Sequence, residues 1–314
     1  MFDFSSHFQV LDDIRLNFTA GSLFVMNIII AFIMFGISLN IKISEFKEVL
    51  TKPKAFIVGI ISQFMLLPLV TFLLVKIINP SPSVALGMIL VAACPGGNVS
   101  NFISYISKGN LSLSVMLTSF STITCVILTP FNFWFYGSLY SRGIDIPWVS
   151  ISFWEMFQTA ILLIGLPVVL GIIVGKYFPK FKEKAKKPVS WLSIAILALF
   201  IAMALKNNFN YFIQYIHLIF ILVLLHNGIA YLSGYLAGKV SRLDRRDVKT
   251  ITIETGIQNS GLGLILIFNP HLFAGNGGMA FVAAWWGIWH IAAGFAIAGL
   301  SRWRDRKLIK REKL

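Results

Sequence analysis

Apolar runs of about 20 residues alternate with short polar stretches along the whole chain, and that is the length a helix needs to cross a bilayer. Nine such runs occur, over 21–41, 55–78, 84–107, 112–136, 151–175, 189–205, 216–237, 250–270 and 280–300. The pattern predicts an all-α polytopic membrane protein with nine transmembrane helices. Two of the runs are interrupted: Cys94-Pro95-Gly96-Gly97-Asn98-Val99-Ser100-Asn101 divides the third, and Glu254-Thr255-Gly256-Ile257-Gln258-Asn259-Ser260-Gly261 the eighth. Gly disfavours a helix interior, and Asn and Ser compete for backbone bonds. Hydrocarbon cannot hydrogen-bond an opened backbone, so a helix broken at membrane depth is buried in protein or lines a watery cavity. Paired breaks of this kind point to a transporter's binding site.

The two breaks fall in corresponding places. Runs 55–78, 84–107 and 112–136 form a triplet broken in its middle member, and 216–237, 250–270 and 280–300 form another. Corresponding members stand an odd number of spans apart, so the triplets run in opposite directions, as in an inverted repeat. One span (21–41) precedes the first triplet and two (151–175 and 189–205) precede the second. A five-plus-five design with its first helix missing has this arrangement.

Charge adds an orientation. The 314 residues are only 13% charged, yet they carry a net charge of +14. Most of the 27 Lys and Arg lie in the alternate segments 42–54, 176–187, 238–249 and 302–313, with Lys108 in the same set. Only Arg15, Lys76, Arg142 and Lys206 fall on the other side. The positive-inside rule then predicts a multi-pass protein of the cell (inner) membrane, with its N-terminus outside and its C-terminus in the cytoplasm. The basic clusters are topology signals and contacts for membrane lipid rather than a nucleic-acid interface. The leader, residues 1–20, holds Asp3, Asp12 and Asp13 against Arg15, unlike a cleaved signal peptide. No obligatory protein partner is evident in the pattern.

The candidate chemistry is sparse. Cys94 and Cys125 lie within predicted spans and read as small apolar packing. There is no CxxC, HExxH or GxSxG, so no enzyme is indicated. Glu254 stands out as a carboxylate at membrane depth, where an ionisable group defaults to a functional role. The alternatives are a side chain that reaches the interface or one that stays protonated. No Lys or Arg lies at depth to pair with it, which makes a cation the natural partner. Sodium is a hard ion that prefers oxygen ligands, and Ser100, Asn101, Ser114 and Thr118 supply them. Ser114 and Thr118 lie one turn apart on one helix face. Their ordinary alternative is a hydroxyl bonded back to its own helix. Where each half-helix restarts, its free N–H groups and positive dipole end favour an anion. Gly97, Asn98 and Asn259 are therefore candidates for holding a small organic anion.

The motifs CPGGNVSN, ISKGNLSLSVMLTSFST, ETGIQNSGLGL and the Trp289-His290 pair resemble the bile acid:sodium symporter family, over about residues 25–300. The resemblance implies a core domain (53–137 and 216–301), in which the two broken helices cross. It also implies a panel domain (21–41 and 151–205), with 302–314 as a basic cytoplasmic tail. It implies a first sodium site at Ser100, Asn101, Ser114, Thr118 and Glu254. A second would use the side chains of Gln63 and Gln258 and the carbonyls of Glu254, Thr255 and Ile257. His290 is implied near the substrate cavity. Gln63 has the ordinary alternative of an interhelical hydrogen bond. Asn98 and Ile291 depart from residues common in the family, so a small carboxylic acid is as good a substrate as a bile acid. The function implied is a sodium-coupled symporter importing an organic anion by alternating access. The alternatives are a sodium-independent facilitator or channel and a sodium/proton antiporter.

Overall fold

The computed structural model describes residues 53–144, 152–185, 209–269 and 272–311, with shorter stretches among residues 11–39 and 188–199. The helices are α1 (Pro53–Ile78), α2 (Pro82–Ala93), α3 (Val99–Ile106), α4 (Leu111–Ser141), α5 (Phe153–Tyr177), α6 (Phe209–Val240), α7 (Arg245–Gly256), α8 (Ser260–Phe268) and α9 (Gly277–Arg311). Among the described residues five are long and apolar enough to span a membrane: α1, α4 and α5, together with Ile219–Val240 of α6 and Gly277–Asp305 of α9. The chain is an integral membrane protein. The third and eighth predicted spans are present as the pairs α2/α3 and α7/α8, while 21–41 and 189–205 lie largely outside the described residues.

Local chemistry explains where the helices stop and start. Pro95 disfavours helical backbone at the residue before it, and Cys94 is extended with ψ 158°. Asn110, Asp244 and Asn259 cap α4, α7 and α8 by accepting backbone N–H groups at 2.9–3.1 Å. Helices α2 and α8 are apolar all round and buried all round: Ser83–Ala93 and the whole of Ser260–Phe268 are enclosed. Helix α2 packs on α9, α1 and α4, and α8 packs on α9. Helix α4 lies against α2, α3, α7 and α5, and α6 runs along α7.

Three features differ from the simple span pattern. Both α1 and α5 widen into a π-turn, at Ser62–Leu66 and Ile161–Gly165, immediately before Leu67-Pro68 and Leu166-Pro167. In a regular helix the carbonyl of Phe64 would receive the N–H of residue 68, which proline lacks. Asn132 Nδ2 donates to that carbonyl instead, at 3.0 Å. Helix α9 continues to Arg311, so most of the predicted tail is helical. Finally, Leu11 and Asp12 seat on the core: Leu11 is buried, and Asp12 Oδ1 accepts the N–H of Ser83 at 2.8 Å, at the start of α2.

Candidate functional site

The two breaks cross. Gly96 and Gln258 form an antiparallel bridge, Gly97 N–H donates to Ile257 O at 3.0 Å, and Asn259 N–H donates to Pro95 O at 2.7 Å. Each opened backbone thus satisfies the other, as the surrounding hydrocarbon could not. The approach is close enough to favour glycine: a Cβ on Gly97 would lie 3.2 Å from Gln258 O. Side chains from neighbouring helices hold the ends of the halves. Thr129 Oγ1 on α4 donates to Ala93 O, and Asn227 Nδ2 on α6 donates to Gly256 O, both at 2.8 Å.

Beside the crossing, Glu254 is buried at the end of α7. Ser100 Oγ donates to its Oε1 at 2.6 Å, Ser114 Oγ donates to the same oxygen, and Thr118 Oγ1 lies 3.1 Å from Oε2. Thr118 Oγ1 is also 3.4 Å from Asn101 Oδ1. Five oxygen-bearing side chains from α3, α4 and α7 therefore gather here, all of them named by the sequence. A hydroxyl donates with its proton and keeps two lone pairs, so the same oxygens can bond the carboxylate or turn toward a cation.

A second polar group meets Glu254 against Gly96. A Cβ placed there would stand 2.6 Å from Gln63 Nε2, 3.1 Å from Glu254 Oε2 and 3.6 Å from Ser121 Oγ. The π-turn of α1 carries Gln63 to this point. Gln258 Nε2 donates to Thr255 O at 3.0 Å, while Thr255 Oγ1 pairs with Ser62 Oγ at 2.8 Å. Both polar atoms of Gln63 and the Oε1 of Gln258 are buried with no hydrogen-bond partner. Buried polar groups are nearly always satisfied. Unpartnered amide oxygens beside a carboxylate that is bonded only by hydroxyls fit a hard cation with oxygen ligands.

The anion candidates are less tightly grouped. Gly97 and Asn259 are in the crossing, and Asn98 is the exposed residue from which α3 restarts. The Oδ1 of Asn259 is used in capping α8, which leaves its amide nitrogen for a ligand. His290 is buried on α9, between Gly287, whose added Cβ would meet Ser260 Oγ, and Gly294, whose added Cβ would meet Ile257. Helix α9 thus carries His290 along the crossing, but among the described residues no hydrogen bond ties it to Asn98 or Asn259. Thr129, Asn132 and Asn227 escaped the sequence reading. The available signal was amides and hydroxyls inside apolar runs, which seek interhelical partners.

Comparison with known proteins identifies the family. Residues 27–215 match the model of the Sodium Bile acid symporter family. The chain is 33% identical over 291 residues to an uncharacterized sodium-dependent transporter, YocS, of Bacillus subtilis, covering 90% of this chain and 86% of that one. It is 28% identical to the probable chloroplastic sodium/metabolite cotransporter BASS1 of Arabidopsis thaliana, over 86% of this chain and 64% of the relative. It is also 28% identical to the human ileal sodium/bile acid cotransporter, over 76% of this chain and 67% of that protein. These relatives are transporters, not enzymes, and the chain with the crossed half-helices belongs to the sodium bile acid symporter family.

Proposed function

We propose that this protein imports a small organic anion together with sodium, by alternating access. Sodium is carried as a co-substrate. One ion is held by Ser100, Asn101, Ser114, Thr118 and Glu254. A second is held by Gln63 and Gln258, with the carbonyls of Glu254, Thr255 and Ile257. The observation that carries this reading is a buried carboxylate bonded only by hydroxyls, with unpartnered glutamine oxygens at the same crossing. An uncompensated buried carboxylate is unfavourable by several kcal/mol, so a cation seated here gains what the fold leaves unmet.

The anion binds where α3 and α8 restart. The positive dipole ends of the half-helices favour a carboxylate, and Gly97 lets the backbone come close. Asn98, Asn259 and His290 supply polar contacts around it. Each ion thereby organises the half-helix that the anion needs, which is the physical basis of coupling. Two sodium ions with one monoanion move net positive charge inward, so transport is electrogenic. Nine spans arranged as core and panel, with the basic ends of the helices in the cytoplasm, complete the proposal.

Binding of ²²Na⁺ to purified protein tests the ion site. The native protein is expected to bind saturably and Glu254→Ala to lose binding, while both unfold cooperatively. Equal binding by the variant would sink the assignment. Proton release upon sodium addition would favour the antiporter, and substrate uptake indifferent to sodium the facilitator.

A further inference from the structure

The basic end of the core holds a cavity of about 490 Å³ between α6, α7 and α9, reaching inward as far as Ile253. Four cations line it: Lys239 of α6, Arg245 and Lys249 of α7, and Arg304 of α9. One carboxylate serves two of them, since Asp305 pairs with Arg245 at 2.7 Å and with Lys249 at 2.6 Å. Lys249 is fixed further by donating to Ser107 O at 3.2 Å. Arg304 has no carboxylate partner among the described residues, and Lys239 has only the Tyr235 ring, 5.9 Å away. Two cations therefore remain uncompensated at one opening.

The remaining wall is mostly apolar, with Ser107, Thr252 and Ser301 adding hydroxyls. Ile253, Ile297 and Leu300 line the cavity. On α6, Leu232, Tyr235, Leu236 and Lys239 share one face by helical spacing, as do Ile297, Leu300 and Arg304 on α9. Along these stripes Leu232, Leu236 and Leu300 are 52%, 47% and 62% exposed. Each helix thus presents an apolar stripe that ends in a cation, which is the profile of an amphiphile with an anionic head.

We propose that this cavity binds an anionic phospholipid. Its phosphate lies between Lys239 and Arg304, and its acyl chains follow the grooves of α6 and α9. The charge rule places this end at the cytoplasmic leaflet, where anionic lipids are found and each nearby Lys or Arg adds attraction. A free phosphate would use the cations and leave the apolar wall bare, so the combination favours a lipid. The assignment is independent of the sodium sites.

Thermal unfolding of delipidated full-length protein in detergent at low salt tests it, with phosphatidylglycerol, phosphatidylcholine or inorganic phosphate added. Phosphatidylglycerol at tenfold excess over Kd is expected to raise the midpoint by about 2–3 °C, and the other two to leave it unchanged. Lys239→Gln with Arg304→Gln should raise the lipid concentration needed for the shift about 30-fold, from roughly fivefold per cation. The charge-retaining pair Lys239→Arg with Arg304→Lys should keep it. An equal shift with phosphatidylcholine, a shift with inorganic phosphate alone, or an undiminished response in the Gln pair would overturn the proposal.

Discussion

Replacing Glu254 by Gln separates the proposed ion site from the fold. The native carboxylate is buried and takes hydroxyls from Ser100 at 2.6 Å, from Ser114, and from Thr118 at 3.1 Å. Hydrogen bonds to a charged group contribute about 1.5–3 kcal/mol, against about 0.5–1.5 for neutral pairs. Across three contacts the amide therefore gives up roughly 3 kcal/mol. It also escapes the several kcal/mol that a buried carboxylate loses on leaving water. Without sodium the two effects offset, and the variant should be at least as stable as the native protein. Sodium separates them. At 100 times Kd it stabilises the native protein by about 2.7 kcal/mol, which is about 5 °C in the midpoint for a chain of this size. The variant should gain nothing. The assay is tryptophan fluorescence during heating in detergent, in NaCl against choline chloride at matched ionic strength. A sodium-dependent rise that survives in the variant would refute the reasoning.

Two further substitutions probe the geometry around the carboxylate. Gly96→Ala places a methyl 2.6 Å from Gln63 Nε2 and 3.1 Å from Glu254 Oε2. Both contacts are ends of side chains that can yield, so the fold should survive at a loss of about 1–3 kcal/mol. The sodium-induced shift should need at least about tenfold more sodium, since tenfold is only about 1.4 kcal/mol of binding; an unchanged sodium titration would contradict the placement. Asn132→Leu strips the donor from Phe64 O, whose helical donor position is Pro68. The orphaned carbonyl should lower stability by about 1–3 kcal/mol. If Asn132 holds the π-turn that aims Gln63, apparent sodium affinity should fall as well, and stability loss alone would restrict Asn132 to packing.

The site was largely legible in the sequence because polar groups are expensive at membrane depth, so few occur there without a reason. Glu254, Ser100, Asn101, Ser114 and Thr118 stood out for that cause, and they converge. The two breaks showed as polar stretches in matching runs, and their crossing was implied by the family resemblance. What remained hidden is held by backbone carbonyls, which carry no residue-level signature. Thr129 and Asn227 support Ala93 and Gly256 from helices far away in sequence. The π-turn at Ser62–Leu66 needed two facts together, Pro68 ahead of it and Asn132 across from it. Helix α9 outran its apolar run because Arg302, Arg304 and Lys307 are good helix formers that need no hydrocarbon.

Coupling is the central claim, and uptake into proteoliposomes tests it most directly. Labelled organic monoanions, a bile acid and short carboxylic acids among them, would be offered with an inward sodium gradient or with choline at equal ionic strength. The account predicts accumulation of at least one anion above equilibrium only with the sodium gradient, faster when the vesicle interior is negative, and absent with Glu254→Gln. Uptake that merely equilibrates, at the same rate in sodium and choline, would contradict it.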